Sequence, residues 1–177
     1  MERVVLLTTD INEESVNDII EQLIEYNQED SYGIQNIVDY ECEPIYLMIN
    51  SFGGQCHAGF GLISVIKETY APIHAMILKS AYSMAVPIAL SCDTIIMYEY
   101  SDMMIHELSY SMYHNTLTDH KQYSEQSQIE QDAINNIIIN NSNITLEKLN
   151  SIYNTKTDWY ISAKECKELG IVDEIRE

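Results

Sequence analysis

This 177-residue sequence predicts an α/β fold with a mostly parallel sheet flanked by helices, and three observations carry the prediction. Short apolar runs rich in Val, Ile, Leu and Met recur along the chain, and between them lie segments whose apolar residues return at helical spacing. Strands and helices alternating at this pitch are the pattern of units that lay their strands side by side in parallel. Hydrophobic residues make up 46% of the chain and charged ones 21%, enough apolar material for a core in one domain spanning residues 1–177.

The elements follow in order. Val4 to Thr8 reads as a buried strand. Asn12 or Ser15 can cap the next helix, in which Val16, Ile19, Ile20, Leu23 and Ile24 recur at helical spacing. Residues 27–43 are polar and carry Gly33, so they are expected to form a long connection. Pro44–Asn50 is a second strand, followed by a turn with Gly53 and Gly54 and a helix through Phe60, Leu62, Ile63, Val65 and Ile66. A strand at Ile73–Leu78, a helix from about Ser83 to Ser91, and strands at Thr94–Tyr98 and Met103–His106 continue the pattern. From Thr118 to Asn140 runs one long polar helix whose apolar residues are confined to Ile129, Ala133, Ile134, Ile137 and Ile138. A stripe that narrow predicts a helix that projects to meet a partner. A short helix at Leu146–Tyr153, a strand near Asp158 and a last helix-to-strand unit over Ala163–Ile175 complete the domain.

Charge and composition exclude several function classes. Nine Lys and Arg against 28 Asp and Glu give a formal charge of −19, which argues against nucleic-acid binding and against adhesion to anionic lipid. No apolar run approaches the roughly 18 residues a membrane helix needs. Met1-Glu2-Arg3 with only Val4–Leu7 behind it does not read as a signal peptide. Cys42, Cys56, Cys92 and Cys166 show no metal-ligand spacing, so free thiols, no metal, no cofactor and a cytoplasmic location are expected.

Three residues propose chemistry by their types and chain order. Ser83 follows a strand and opens a helix in Ser80-Ala81-Tyr82-Ser83-Met84-Ala85. Such a Ser is an N-cap in one reading. In the other it is a nucleophile at a strand-to-helix turn, with the Met84 amide donating to an oxyanion. His106 ends an apolar strand and supplies a base; Asp158 supplies an acid. Asn50-Ser51-Phe52-Gly53-Gly54 adds a glycine loop after a strand, where backbone N–H groups can approach a ligand closely. It lacks the pattern of a phosphate-binding loop. The Gly-x-Ser-x-Gly elbow of the α/β-hydrolases is also absent, which disfavours that fold.

Taken together these stretches resemble the proteolytic subunit of the Clp proteases, the ClpP family, from Arg3 to Ile175. Ile49-Asn50-Ser51-Phe52-Gly53-Gly54, with Ala58-Gly59-Phe60 after it, is similar to the family's Asn-Ser-Pro-Gly-Gly loop and following helix. Ala81-Tyr82-Ser83-Met84-Ala85 matches its nucleophile motif, and Met104-Ile105-His106 its base motif. Asp158-Trp159-Tyr160-Ile161-Ser162-Ala163, with Glu168-Leu169-Gly170-Ile171-Val172-Asp173, matches its acid motif and C-terminal signature.

The resemblance implies a ClpP/crotonase-like spiral of ββα units with a projecting handle over about 107–142. It implies a catalytic triad of Ser83, His106 and Asp158, and an oxyanion hole formed by the N–H groups of Gly54 and Met84. A peptide or unfolded protein substrate would be held as an added strand by Gly53, Gly54, Gln55 and Cys56 on one side and Ser109, Tyr110 and Ser111 on the other. A homo-oligomer of stacked heptameric rings and a AAA+ unfoldase partner belong to the same implication.

Four departures qualify it: Phe52 stands for the usual Pro, and Leu108, Tyr110, Ser111 and Tyr113 stand where the family has Pro and a Gly-rich segment. Residues 27–43 exceed its usual connection, and the sequence begins at the first sheet strand, which leaves unfoldase docking without its expected N-terminal segment. Rival readings are a catalytically impaired subunit with an assembly role, a phage maturation protease on the same fold, and an enoyl-CoA hydratase/isomerase relative. The last needs carboxylate acid–bases, and nothing here replaces the Ser/His/Asp set.

Overall fold

A computed structural model describes residues 3–110 and 116–177. Seven strands form one sheet: β1 (Arg3–Leu7), β2 (Ile45–Ser51), β3 (Ile73–Tyr82), β4 (Thr94–Tyr98), β5 (Asp102–Ile105), β6 (Trp159–Ser162) and β7 (Glu174–Arg176). Six helices are interleaved with them: α1 (Glu13–Asn36), α2 (Cys56–Glu68), α3 (Ala85–Leu90), α4 (Leu117–Asn140), α5 (Leu146–Thr155) and α6 (Ala163–Glu168). The path β1-β2-β3-β4-β7 is parallel throughout, as the alternating pattern predicted.

The long strand β3 decides where the site lies. Its first half, His74–Ile77, pairs with β4, and its last three residues, Ser80–Tyr82, pair with β5. Strands β4 and β5 are therefore successive lengths of one neighbour to β3, both parallel to it. Strand β6 returns antiparallel on the far side of β5, in the register Met104↔Tyr160 and Ile105↔Trp159.

Alternation along the strands builds the core. Val5, Leu7, Ile45, Leu47, Ile49, Ile73, Ala75 and Ile77 are buried on the face covered by α1, α2 and α3. Helix α3 is buried along its whole length, and Pro87 fits there because the N–H it lacks falls in the first turn, where no helical acceptor exists.

Two sequence expectations change. Residues 27–36 continue α1 instead of forming a connection, which shrinks to residues 37–44. The apolar period lapses after Ile24 because the next buried contact is polar. Asp30, fully buried, accepts from Arg3 Nη1 at 2.7 Å and from the Tyr40 hydroxyl at 2.7 Å, and Gly33 leaves room for the Tyr40 ring. In α4, Ile129 is 63% exposed, whereas Gln131, Asn135 and Ile138 are buried. The first half of α4 presents mostly exposed side chains, and burial sets in only near Gln131.

Candidate active site

Parallel neighbours end together, and that places the first two functional side chains. Tyr82 pairs with Met104, so Ser83 and His106 leave β3 and β5 at the same sheet edge, and the Ser83 N–H donates to the Met104 carbonyl at 2.8 Å. The antiparallel register then sets Ile105 opposite Trp159, which brings Asp158 beside His106. Residues separated by 23 and 52 positions meet only through these two ladders.

His106 Nε2 lies 2.7 Å from Ser83 Oγ, a strong hydrogen-bond distance. His106 Nδ1 faces Asp158 Oδ1 at 3.8 Å, an ion-pair separation longer than a hydrogen bond. With its proton on Nδ1, the imidazole accepts the Ser83 hydroxyl proton through Nε2. The Asp158 side chain is 52% exposed and that of His106 29%, so water screens their attraction.

Ser83 does not cap α3. Met84 occupies that position, with no side-chain cap bond, while Ser83 sits at φ +53° in the left-handed region. For a residue with a Cβ this conformation is unfavourable by about 1–2 kcal/mol. The turn lifts Oγ towards His106 and away from the helix amides it would otherwise cap. Gly53 packs directly beneath: a Cβ there would come within 2.7 Å of the Ser83 Cβ and of the Tyr82 carbonyl.

The glycine loop is pinned by the segment after β1. Ile11 donates to the Gly53 carbonyl at 2.8 Å and accepts from the Gln55 N–H at 2.8 Å, a single parallel bridge centred on Gly54. A Cβ on Gly54 would strike the Ile11 backbone. With residues 53 and 55 bonded to one side, the Gly54 N–H and carbonyl point to the other. Neither the Gly54 nor the Met84 N–H donates to another described residue.

A cavity of about 230 Å³ opens in front of Ser83. Gly54, Cys56, Met84, His106 and Ser109 contribute to its lining, together with Val86, Ile105, Leu108, Ile134 and Ile138. Of the expected substrate-side residues, Gly54, Cys56 and Ser109 face it. The Gly53 carbonyl and Gln55 N–H are engaged with Ile11, the Gln55 carbonyl accepts from Gly59, and Tyr110 is exposed in a neighbouring depression with Gln128 and Gln131. Ser111 lies outside the described residues. Burial pushes the Cys56 thiol above its ordinary range, so it is not a competing nucleophile near neutral pH.

Val86, Leu108, Ile134 and Ile138 escape a motif-based reading of the site. The available signal was the stripe on α4: Ile134 and Ile138, four residues apart on a polar helix, have a shared face to cover.

The Clp protease family model matches residues 1–177. The chain belongs to the Clp protease family. ATP-dependent Clp protease proteolytic subunits are its relatives. One from Lactococcus lactis subsp. lactis is 26% identical over 179 residues, covering 99% of this chain and 84% of the relative. Another, proteolytic subunit 3 of a Synechococcus species, is 25% identical, covering 99% and 82%. Among solved structures, a ClpP1 mutant from Listeria monocytogenes superposes with a TM-score of 0.81 at 23% identity, covering 99% of this chain and 91% of that one. The ClpP-type spiral fold expected from the motifs is therefore the fold of this chain, and its low identities mark a divergent Clp protease family member.

Proposed function

We propose that this chain is a serine endopeptidase that cleaves peptide bonds inside a ring-shaped chamber of stacked heptamers. The observation that carries this reading is the 2.7 Å contact between Ser83 Oγ and His106 Nε2 at a strained strand-to-helix turn. In the reaction, Ser83 Oγ attacks the scissile carbonyl carbon as its proton passes to His106 Nε2. The carbonyl oxygen becomes an oxyanion and takes hydrogen bonds from the Gly54 and Met84 N–H groups. Collapse breaks the C–N bond, His106 returns the proton to the leaving amine, and water attacking by the same route releases the acyl group from Ser83. Asp158 steadies the imidazolium.

The apolar lining of Val86, Leu108, Ile134 and Ile138 suits a peptide whose side chain next to the cleaved bond is apolar. Gly54 and Ser109 both line the cavity and supply backbone groups for an added strand.

Labelling with a fluorophosphonate probe tests the reading. Wild-type protein becomes labelled at Ser83 and Ser83→Ala does not; no labelling of folded wild-type protein sinks the proposal. The second reading, an impaired subunit with an assembly role, is favoured by one observation, the 3.8 Å gap between His106 and Asp158. Assembled rings that neither bind the probe nor cleave peptide decide for it.

A further inference from the structure

Gln131 has no place in the triad, the oxyanion hole or the cavity lining, yet it is a buried polar side chain on a helix that is otherwise largely exposed. Its Oε1 accepts the Leu108 N–H at 2.7 Å. Among the described residues this is the one hydrogen bond made by the backbone of residues 107–110. Its Nε2 donates to Asn135 Oδ1 at 3.1 Å and to the Tyr153 hydroxyl at 3.3 Å. Tyr153 in turn donates to Asn135 Oδ1 at 2.8 Å. All three side chains are buried, and both N–H groups and one oxygen lone pair of the Gln131 amide are aimed at partners.

The two ends of this network are what give it a function. Leu108 lies two residues beyond His106 and walls the cavity together with Ser109. Tyr153 lies in α5, which ends at Thr155 and turns through Lys156, at φ +50°, into the segment that carries Asp158. Helix α4 meanwhile presents Ile134 and Ile138 to the same cavity, three and seven residues after Gln131. An apolar contact could fill this space equally well, but it could not fix the rotation of a backbone amide. A buried acceptor can, because leaving the Leu108 N–H unpaired is costly.

We infer that Gln131 is a positioning residue: by holding the Leu108 N–H it keeps the backbone of residues 107–110 turned so that Ser109 presents its polar groups to a peptide lying over Ser83. This rests on the peptidase reading for the identity of the ligand, a peptide in extended form. The constraint on Leu108 itself stands on the hydrogen bond alone.

The test uses the full chain with Gln131→Met, which matches the side-chain length and lacks the acceptor, and with Gln131→Glu, which keeps an acceptor for Leu108 in either protonation state. Amide hydrogen exchange at Leu108 is read first, and in Gln131→Met it rises about ten-fold. Affinity for a fluorescent apolar peptide, read in the Ser83→Ala background so that catalysis is not required, falls by a similar factor. Gln131→Glu recovers both to within about three-fold of the parent. Fluorophosphonate labelling of Ser83, which needs Ser83 and His106 but not the added strand, stays within about two-fold in Gln131→Met. A purely structural role would lower labelling and affinity together. Unchanged Leu108 exchange, unchanged peptide affinity, or no rescue by Gln131→Glu overturns the inference. Failure of wild-type labelling overturns the peptidase reading instead, and leaves exchange and affinity to judge Gln131.

Discussion

Ser83 concentrates the local cost of this fold: a side chain at φ +53°, with Gly53 packed beneath it. Gly53→Ala introduces a Cβ 2.7 Å from Ser83 and the Tyr82 carbonyl, at a backbone φ of +94° that disfavours any side chain. Fluorophosphonate labelling is expected to fall at least about ten-fold, with a stability loss of about 1–3 kcal/mol by denaturant titration. Normal labelling in a stable Gly53→Ala protein would show that the glycine is not what shapes the turn. Asp158 is expected to contribute less. At 3.8 Å and half exposed, its removal in Asp158→Asn is expected to slow peptide cleavage by about 10- to 100-fold. Ser83→Ala is expected to cost at least about 1,000-fold. If the two variants proved equally inactive, Asp158 would be engaged far more tightly than a 3.8 Å separation implies.

At the scale of elements, the clamp on α1 shows why one part of the fold is hidden from sequence. Asp30 is fully buried and joined to Arg3 and Tyr40. Burial raises its carboxyl pKa, but the hydrogen bonds from Arg3 and Tyr40 outweigh it and hold the group below its usual range. A depressed folded-state pKa means the unfolded chain takes up the proton first. The stabilisation is therefore fully present above the ordinary Asp range and is lost as pH falls through the lowered value. Acid titration of unfolding should show a steeper loss below about pH 4 in the parent than in Asp30→Asn. Asp30→Ala leaves Arg3 without its buried partner and should cost about 3–5 kcal/mol. A loss under about 1 kcal/mol would mean the ion pair is replaceable by water.

Helix α1 escaped sequence reading beyond Tyr26 because apolar periodicity reports only apolar burial, and this turn of helix buries a charge. Helix α4, by contrast, was legible through its isoleucines from Ala133 onwards. Its cavity-facing members make a specificity prediction: Ile134→Ala enlarges the space in front of Ser83, and cleavage should shift towards peptides with bulkier apolar residues beside the cut bond. Unchanged preference across a peptide library would place the specificity wall elsewhere.

At the scale of the molecule, one sheet face is left open. Leu6 is 56% exposed and Leu78 37%, with Tyr46, Met48 and His74 between them half-buried. The family's oligomeric assembly offers a cover for such a face, while a charge of −19 on each chain opposes bringing copies together. Salt screens the repulsion and leaves apolar contact intact. Sedimentation analysis should therefore show larger assemblies at about 0.5 M than at about 0.05 M salt, where the screening length is several-fold longer. Leu78→Asp should shift the chain towards smaller species at both. Dissociation by salt would argue that ion pairs, not apolar faces, hold the copies together.

The sequence by itself determined the alternation of strands and helices, the parallel sheet, and the residue types at Ser83, His106, Asp158, Gly53 and Gly54, because period, turn chemistry and motif order are local properties of a chain. Those local properties do not encode distance between segments far apart in sequence. The tertiary structure alone decided that β3 and β5 end side by side, that Ile105 faces Trp159, and that Ile134 and Ile138 share a cavity with Ser83. It also decided that Gln131 reaches Leu108. Ladder register is set by packing across the whole sheet, and it is the register that turns three scattered residues into one site.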